Sequence, residues 1–108
     1  MSKKSKKHNP AIPHDEAMVE LLKRKPEFAA EYLKAALEDA DDDAGQHALL
    51  GIIRQIAQAQ GIQKVAKAAG IPRESLSRAL SPRGNPRLTT LMAVMHAMDI
   101  KLTVQTPA

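Results

Sequence analysis

Two short helical segments joined by a three-residue turn constrain the fold more than any other part of this chain. The segments are Gln63–Ala69 and Arg73–Leu80, with Gly70-Ile71-Pro72 between them. Gly70 can adopt the positive φ that ends a helix and turns the chain. Pro72 suits the start of the next helix, because the N–H that it lacks would have no partner there. The sequence therefore predicts two short helices packed against each other.

Apolar and polar positions divide the second helix of this pair into two faces. Leu76, Ala79 and Leu80 are predicted to point into the core. The other positions carry hydrogen-bonding groups suited to base edges and phosphates. This is the outline of a helix-turn-helix, whose second helix lies in the DNA major groove. The outward-facing candidates for reading bases are Arg73, Glu74, Ser75, Ser77 and Arg78.

These side chains differ in what they could contact. An arginine at position 73 or 78 could reach guanine N7 and O6 with both amino groups, or contact a phosphate, or remain solvated. Glu74 would repel phosphate, so it either accepts a hydrogen bond from cytosine N4 or orients Arg78 four residues later, and the orienting role is favoured. The serines could contact a base or a phosphate, or face water. Basic residues around the motif are expected to neutralise phosphates, although Lys67 could equally serve solubility; they are Lys64, Lys67, Arg83 and Arg87.

The net charge of +4 conceals two halves of opposite sign. Residues 15–43 carry ten acidic against four basic side chains, and residues 54–101 carry eight basic against two acidic ones. A basic half suits phosphate, whereas an acidic half repels DNA and suits a basic protein. The charge pattern predicts two different partners.

Composition excludes several classes of function. The chain of 108 residues has no Cys, so disulfides, thiolate metal sites and cysteine nucleophiles are excluded. Its four His show no spacing typical of a metal site, nothing places a catalytic triad, and neither a cofactor nor an enzymatic activity is expected. One Phe, one Tyr and no Trp argue against an aromatic surface for single-stranded nucleic acid. Without a long apolar run or a secretory leader, no membrane association is predicted, and a cytoplasmic location fits.

The predicted fold is all-α, a bundle of five or six helices with a short C-terminal strand. We expect a basic flexible arm over residues 1–13, an acidic helical extension over 14–43 and a DNA-binding domain over 44–108. One of Asp41, Asp42 and Asp43 should cap the helix that follows them, and Thr89 or its neighbour should cap the last helix. Residues 101–105 alternate polar and apolar side chains as a strand does, and its simplest partner is the same strand of a second subunit.

Three segments carry a resemblance to a known family. From Gly45 onward the chain resembles the Cro/cI-repressor (Xre) type of helix-turn-helix domain. Residues 15–104 resemble, more narrowly, the HigA-like addiction-module antidote family of antitoxins, through AEYLKAALEDADDD, QAQGI and VAKAAGIPRESLSRALSPRGNPRLTTLMAVMHAMDIKLTV. The resemblance implies a Cro/cI-like fold and a small dimeric protein, not an enzyme, that neutralises a RelE/ParE-like toxin and represses its own operon. Its DNA site would be a double-stranded, inverted-repeat operator.

The resemblance also suggests site residues. Gln63 and Lys64 lie near the position where such domains place a phosphate-binding Gln, although the spacing to Gly70 puts that position on Ile62. The loop that flanks the DNA backbone matches Arg83, Asn85 and Arg87. In the acidic extension, Phe28 and Tyr32 could anchor the toxin beside Glu31, but aromatics at this spacing also form core stripes. Two rival readings remain open: a stand-alone phage-type repressor without a toxin, and a protein-interaction module that no longer reads DNA.

Overall fold

A computed structural model describes residues 11–107, and this part of the chain forms six helices. They are α1 (Ala11–Arg24), α2 (Phe28–Glu38), α3 (Asp43–Gln60), α4 (Ile62–Ala69), α5 (Arg73–Ala79) and α6 (Leu88–Ala97). The architecture confirms the all-α prediction. Residues 1–10 of the predicted basic arm lie outside the described residues, and residues 11–13 belong to α1. Helix α1 therefore begins three residues before the helical extension predicted from residue 14, and its first turn contains no acidic residue.

The long helix α3 organises the bundle. Helices α1 and α2 pack along it, and α4 packs against α3, α5 and α6. One continuous core results, to which every helix contributes. Its buried side chains are Leu22, Ala29, Leu33, Ile53, Ile56, Ala57, Val65, Ala66, Leu76, Leu80, Val94, Met95 and Met98. The proposed division into an arm, an extension and a DNA-binding domain stays a prediction.

An acidic side chain caps the start of α3. The Asp42 carboxylate accepts a hydrogen bond from the Gly45 N–H at 2.8 Å, which confirms the predicted cap. Position 45 also requires glycine, because a Cβ there would lie 2.0 Å from the Asp39 carbonyl oxygen. The predicted cap at Thr89 is wrong: α6 begins at Leu88 after Arg87, and no side chain caps it.

The turn between α4 and α5 has the predicted backbone. Gly70 adopts φ 72°, and its N–H donates to the Lys67 carbonyl at 3.2 Å. The Ile71 N–H donates to the Ala66 carbonyl at 3.0 Å. These two bonds form a Schellman motif, which satisfies carbonyls that the end of α4 would otherwise leave free. Ile71 packs against the core, so the turn fixes α5 relative to α4.

The C-terminal segment has no regular secondary structure over residues 101–107. The predicted strand is therefore not formed in the single chain. Val104 is 95% exposed, and Leu102 is also an exposed apolar side chain. The physical reason is the absence of a neighbouring strand in this part of the fold, because an isolated strand gains little.

Candidate nucleic-acid interface

Helix α5 combines a fixed inner face with an exposed polar outer face. Leu76 and the C-capping Leu80 are fully buried, and each lies in the core. Ser75 is half-buried, and the other four predicted base-reading residues are exposed. The exposed residues are Arg73, Glu74, Ser77 and Arg78. The core thus holds a short helix that presents both positive charge and hydrogen-bonding groups to solvent.

The predicted pairing of Glu74 with Arg78 is not present. Ion pairs within 4 Å in the described part of the chain join Lys23 to Glu20 and Arg54 to Asp15. Both side chains of the predicted pair are exposed, so solvation competes with a contact that is worth little at a surface. The Arg78 guanidinium is therefore not held by Glu74 in the free chain.

The loop after α5 lies directly against the end of that helix. The Ser81 hydroxyl donates to the Arg78 carbonyl at 2.8 Å. A Cβ at Gly84 would lie 2.0 Å from the Ala79 carbonyl oxygen, so this close approach requires glycine. The loop's predicted phosphate contacts, Arg83, Asn85 and Arg87, are all exposed.

Helix α4 contributes a second set of exposed polar side chains. Gln63, Lys64 and Lys67 face solvent, whereas Ile62 is half-buried and packs against the core. Ile62 occupies the position that the resemblance gives to a phosphate-binding Gln, and its packing makes it a structural residue here. Gln63, one position later, is the exposed amide at the start of this helix.

The acidic part of the chain presents all its carboxylates except that of Asp15 fully to solvent. The exposed ones are Glu16, Glu20, Glu27, Glu31, Glu38, Asp39, Asp41, Asp42 and Asp43. All the basic residues from Lys64 to Lys101 are exposed as well. The charge asymmetry of the sequence is therefore an asymmetry between exposed surfaces.

The two aromatic rings of α2 stack on each other and are only partly available to a partner. Their centroids lie 5.6 Å apart with an interplanar angle of 14°. Phe28 and Tyr32 are half-buried against the core, and the Tyr32 hydroxyl donates to Gln55 Oε1 at 2.6 Å. Glu31 and the apolar Leu37 are exposed on the same helix. A role of Phe28, Glu31 and Tyr32 in toxin binding stays a prediction.

Burial raises the pKa of Tyr32 above its ordinary value of 10.0, and the negative charge of Asp15 raises it further. The hydrogen bond with Gln55 acts in the opposite direction. The neutral phenol is therefore favoured by folding. Its stabilising contribution is complete below about pH 10 and is lost as the pH rises through the folded-state pKa.

This shift gives a direct optical prediction, because Tyr32 is the single tyrosine and the chain has no Trp. In an alkaline titration followed by tyrosinate absorbance, the native chain should titrate at higher pH than the chain in denaturant. Asp15→Asn should lower the native midpoint, since it removes a charge that raises this pKa. Identical midpoints for native and denatured chain would contradict the burial of the phenol.

Three residues that sequence reasoning did not single out form a polar cluster on α1 and α3. Buried Gln55 donates to Asp15 Oδ1, and Arg54 Nη2 lies 3.6 Å from Asp15 Oδ2. Arg54 Nη1 also donates to the Leu80 carbonyl at 2.9 Å. These partners are far apart in the sequence, so neither periodicity nor spacing could have paired them.

None of the helices within residues 11–107 has the length and the apolar composition of a membrane-spanning segment. The same residues contain no group of three or more His, Asp or Glu side chains placed to hold a metal ion.

Comparison with known proteins identifies the family. A protein of Haemophilus influenzae (strain ATCC 51907 / DSM 11121 / KW20 / Rd), described as uncharacterized, is 42% identical over 57 residues, or 53% of this chain. The match spans 59% of that protein's length. No solved structure matches the chain. The model of the family described as "probable addiction module antidote protein" matches residues 15–106. The chain therefore belongs to this antidote family.

Proposed function

We propose that the chain is a DNA-binding antitoxin, a regulatory protein without catalytic activity, that represses its own operon and neutralises a RelE/ParE-like toxin. The observation that carries the DNA-binding part is the construction of α5. Leu76 and Leu80 fix it in the core while Arg73, Ser77 and Arg78 remain exposed. A helix held in this way can enter a major groove without rearrangement.

In this proposal the arginines of α5 contact base edges, and neighbouring polar and basic residues contact the phosphates of the DNA backbone. A guanidinium group can donate two hydrogen bonds to guanine N7 and O6, and this contact is assigned to Arg73 and Arg78. Phosphate contacts fix the orientation and carry no sequence information. They are assigned to exposed residues of α4 and of the loop after α5, namely Gln63, Lys64, Lys67, Arg83, Asn85 and Arg87.

A homodimer accounts for the exposed C-terminal segment. Pairing residues 101–105 with the same segment of a second copy would give exposed Leu102 and Val104 cross-strand neighbours. A two-fold dimer would place its two α5 helices in successive major grooves about 34 Å apart. The operator is then an inverted repeat in double-stranded DNA.

We assign the binding site for the toxin to the acidic surface of α2. Exposed Glu31 and Glu38 suit a basic protein, and exposed Leu37 adds apolar area beside them. Phe28 and Tyr32, which are half-buried, would contribute aromatic contact. The family description supports a toxin partner, which argues against the stand-alone repressor.

A gel-shift titration with the DNA upstream of the gene tests the proposal. The probes are this promoter, a scrambled sequence and a probe with one half-site replaced. Arg73→Ala should weaken promoter binding about tenfold to a hundredfold, the loss expected for one base-reading contact. Arg24→Ala removes the same charge from an exposed position on α1 and should change affinity by less than about threefold.

The scrambled probe separates sequence reading from simple attraction between charges. Selective binding to the promoter that is weakened by Arg73→Ala and preserved in Arg24→Ala would establish α5 as the reading helix. Equal, weak binding to the promoter and the scrambled probe would reject DNA recognition and favour the protein-interaction module.

A further inference from the structure

The Arg54 side chain bridges two helices that are distant in sequence. It projects from α3, and its side chain is 23% exposed. One amino group, Nη1, donates to the Leu80 carbonyl at 2.9 Å, at the C-cap of α5. The other, Nη2, lies 3.6 Å from the Asp15 carboxylate in α1. One guanidinium therefore touches both the acidic extension and the end of the candidate reading helix.

The contact with Leu80 matters because α5 has only seven residues. The last carbonyls of a helix have no partner within the helix, and a cation near them also interacts favourably with the helix dipole. A helix this short depends on tertiary contacts for its stability. Arg54 supplies such a contact at the end of α5 that is opposite to Arg73.

The Asp15 carboxylate is itself held in place from two sides. One oxygen accepts from Gln55, whose own carbonyl oxygen accepts from the Tyr32 hydroxyl. Gln55 is 4% exposed, so its hydrogen bonds are made away from water. A continuous chain of polar contacts thus runs from Tyr32 on α2 through Gln55, Asp15 and Arg54 to Leu80 at the C-cap of α5.

We propose that Arg54 is a positioning residue for α5, and that Asp15 sets its position. The proposal rests on the function proposed above, but its first test requires no DNA. Every contact in this chain of interactions lies within one copy of the protein.

Amide hydrogen exchange in the DNA-free chain gives the first readout. The amides of Leu80 and Ser81, which bond to carbonyls of α5, report on its last turn. Asp15→Asn should accelerate their exchange about two- to fivefold relative to the core amide of Ile56, the range for a partly exposed ion pair. Glu20→Gln, which alters an exposed ion pair on the same helix, should leave α5 unchanged.

A double-mutant cycle assigns the effect to Arg54. In an Arg54→Gln background, Asp15→Asn should no longer change exchange in α5, because the residue that transmits the change is absent. If Asp15→Asn still accelerates α5 exchange in that background, or never does so in the wild type, the positioning role is overturned.

DNA affinity gives a second readout, in which the direction of the change in affinity separates the positioning role from general electrostatics. Removing an acid from a DNA-binding protein should strengthen binding through general electrostatics, and Glu20→Gln should leave affinity equal or slightly higher. Asp15→Asn should instead weaken promoter binding about two- to fivefold. Equal affinities for the two variants would overturn the link to DNA. A wild type that does not bind its promoter would reject the proposed function, while hydrogen exchange would still decide the positioning role.

Discussion

Leu76→Ala is expected to lower the free energy of unfolding by about 2–5 kcal/mol, the cost of emptying a fully buried leucine site. Leu76 is 0% exposed and attaches α5 to the rest of the core. Leu88→Ala is the matched control, because Leu88 is 72% exposed and its truncation should cost less than about 0.5 kcal/mol. Urea unfolding followed by circular dichroism measures both differences.

This loss is large against the total stability of a small domain, which is typically about 5–15 kcal/mol. We therefore expect Leu76→Ala to reduce promoter affinity as well, although position 76 touches no base in the proposed complex. An equal loss in the free energy of unfolding for Leu76→Ala and Leu88→Ala would mean that α5 is not anchored as described. Intact DNA binding in a clearly destabilised Leu76→Ala variant would mean that DNA restores the helix.

Replacing four exposed cations with glutamine should flatten the salt dependence of promoter binding by about 3–4 units in log–log slope, close to one unit per phosphate contact. These cations lie on α4 and in the segment after α5: Lys64, Lys67, Arg83 and Arg87. The control variant removes the same charge from the acidic half, at exposed Lys23, Arg24, Lys25 and Lys34. Its slope should stay close to that of the wild type.

Titrations at several salt concentrations measure the two slopes. A slope that falls equally in both variants would show that only net charge matters, and the assigned phosphate surface would be wrong. A slope that falls only in the first variant would locate the DNA backbone on α4 and the loop after α5.

Local chemistry explains which parts of the fold the sequence could predict. The turn at Gly70 and the cap at Asp42 each depend on residues within a few positions, so residue type and spacing were sufficient. The starts of α1 and α6 were misplaced because no side chain marks them unambiguously. The C-terminal strand depends on a neighbouring strand, which its own alternation of side chains cannot provide.

The candidate site shows the same division. The exposure of Arg73 and Arg78 followed from the apolar spacing of Leu76 and Leu80 on a single short helix. The position of Arg54 between Asp15 and Leu80 could not be predicted from the sequence, because it depends on how three separate helices pack. Such contacts between distant segments are a property of the tertiary structure.

The central position of α3 limits how this protein can be divided or recombined. Leu22 and Leu33 from the acidic half share one core with Ile53 and Ile56 of α3. A fragment that began at residue 44 would expose that side of α3 to water and lose much of its apolar burial. A hybrid that takes a new reading helix from a relative should therefore keep residues 15–60 together and exchange only the segment that follows.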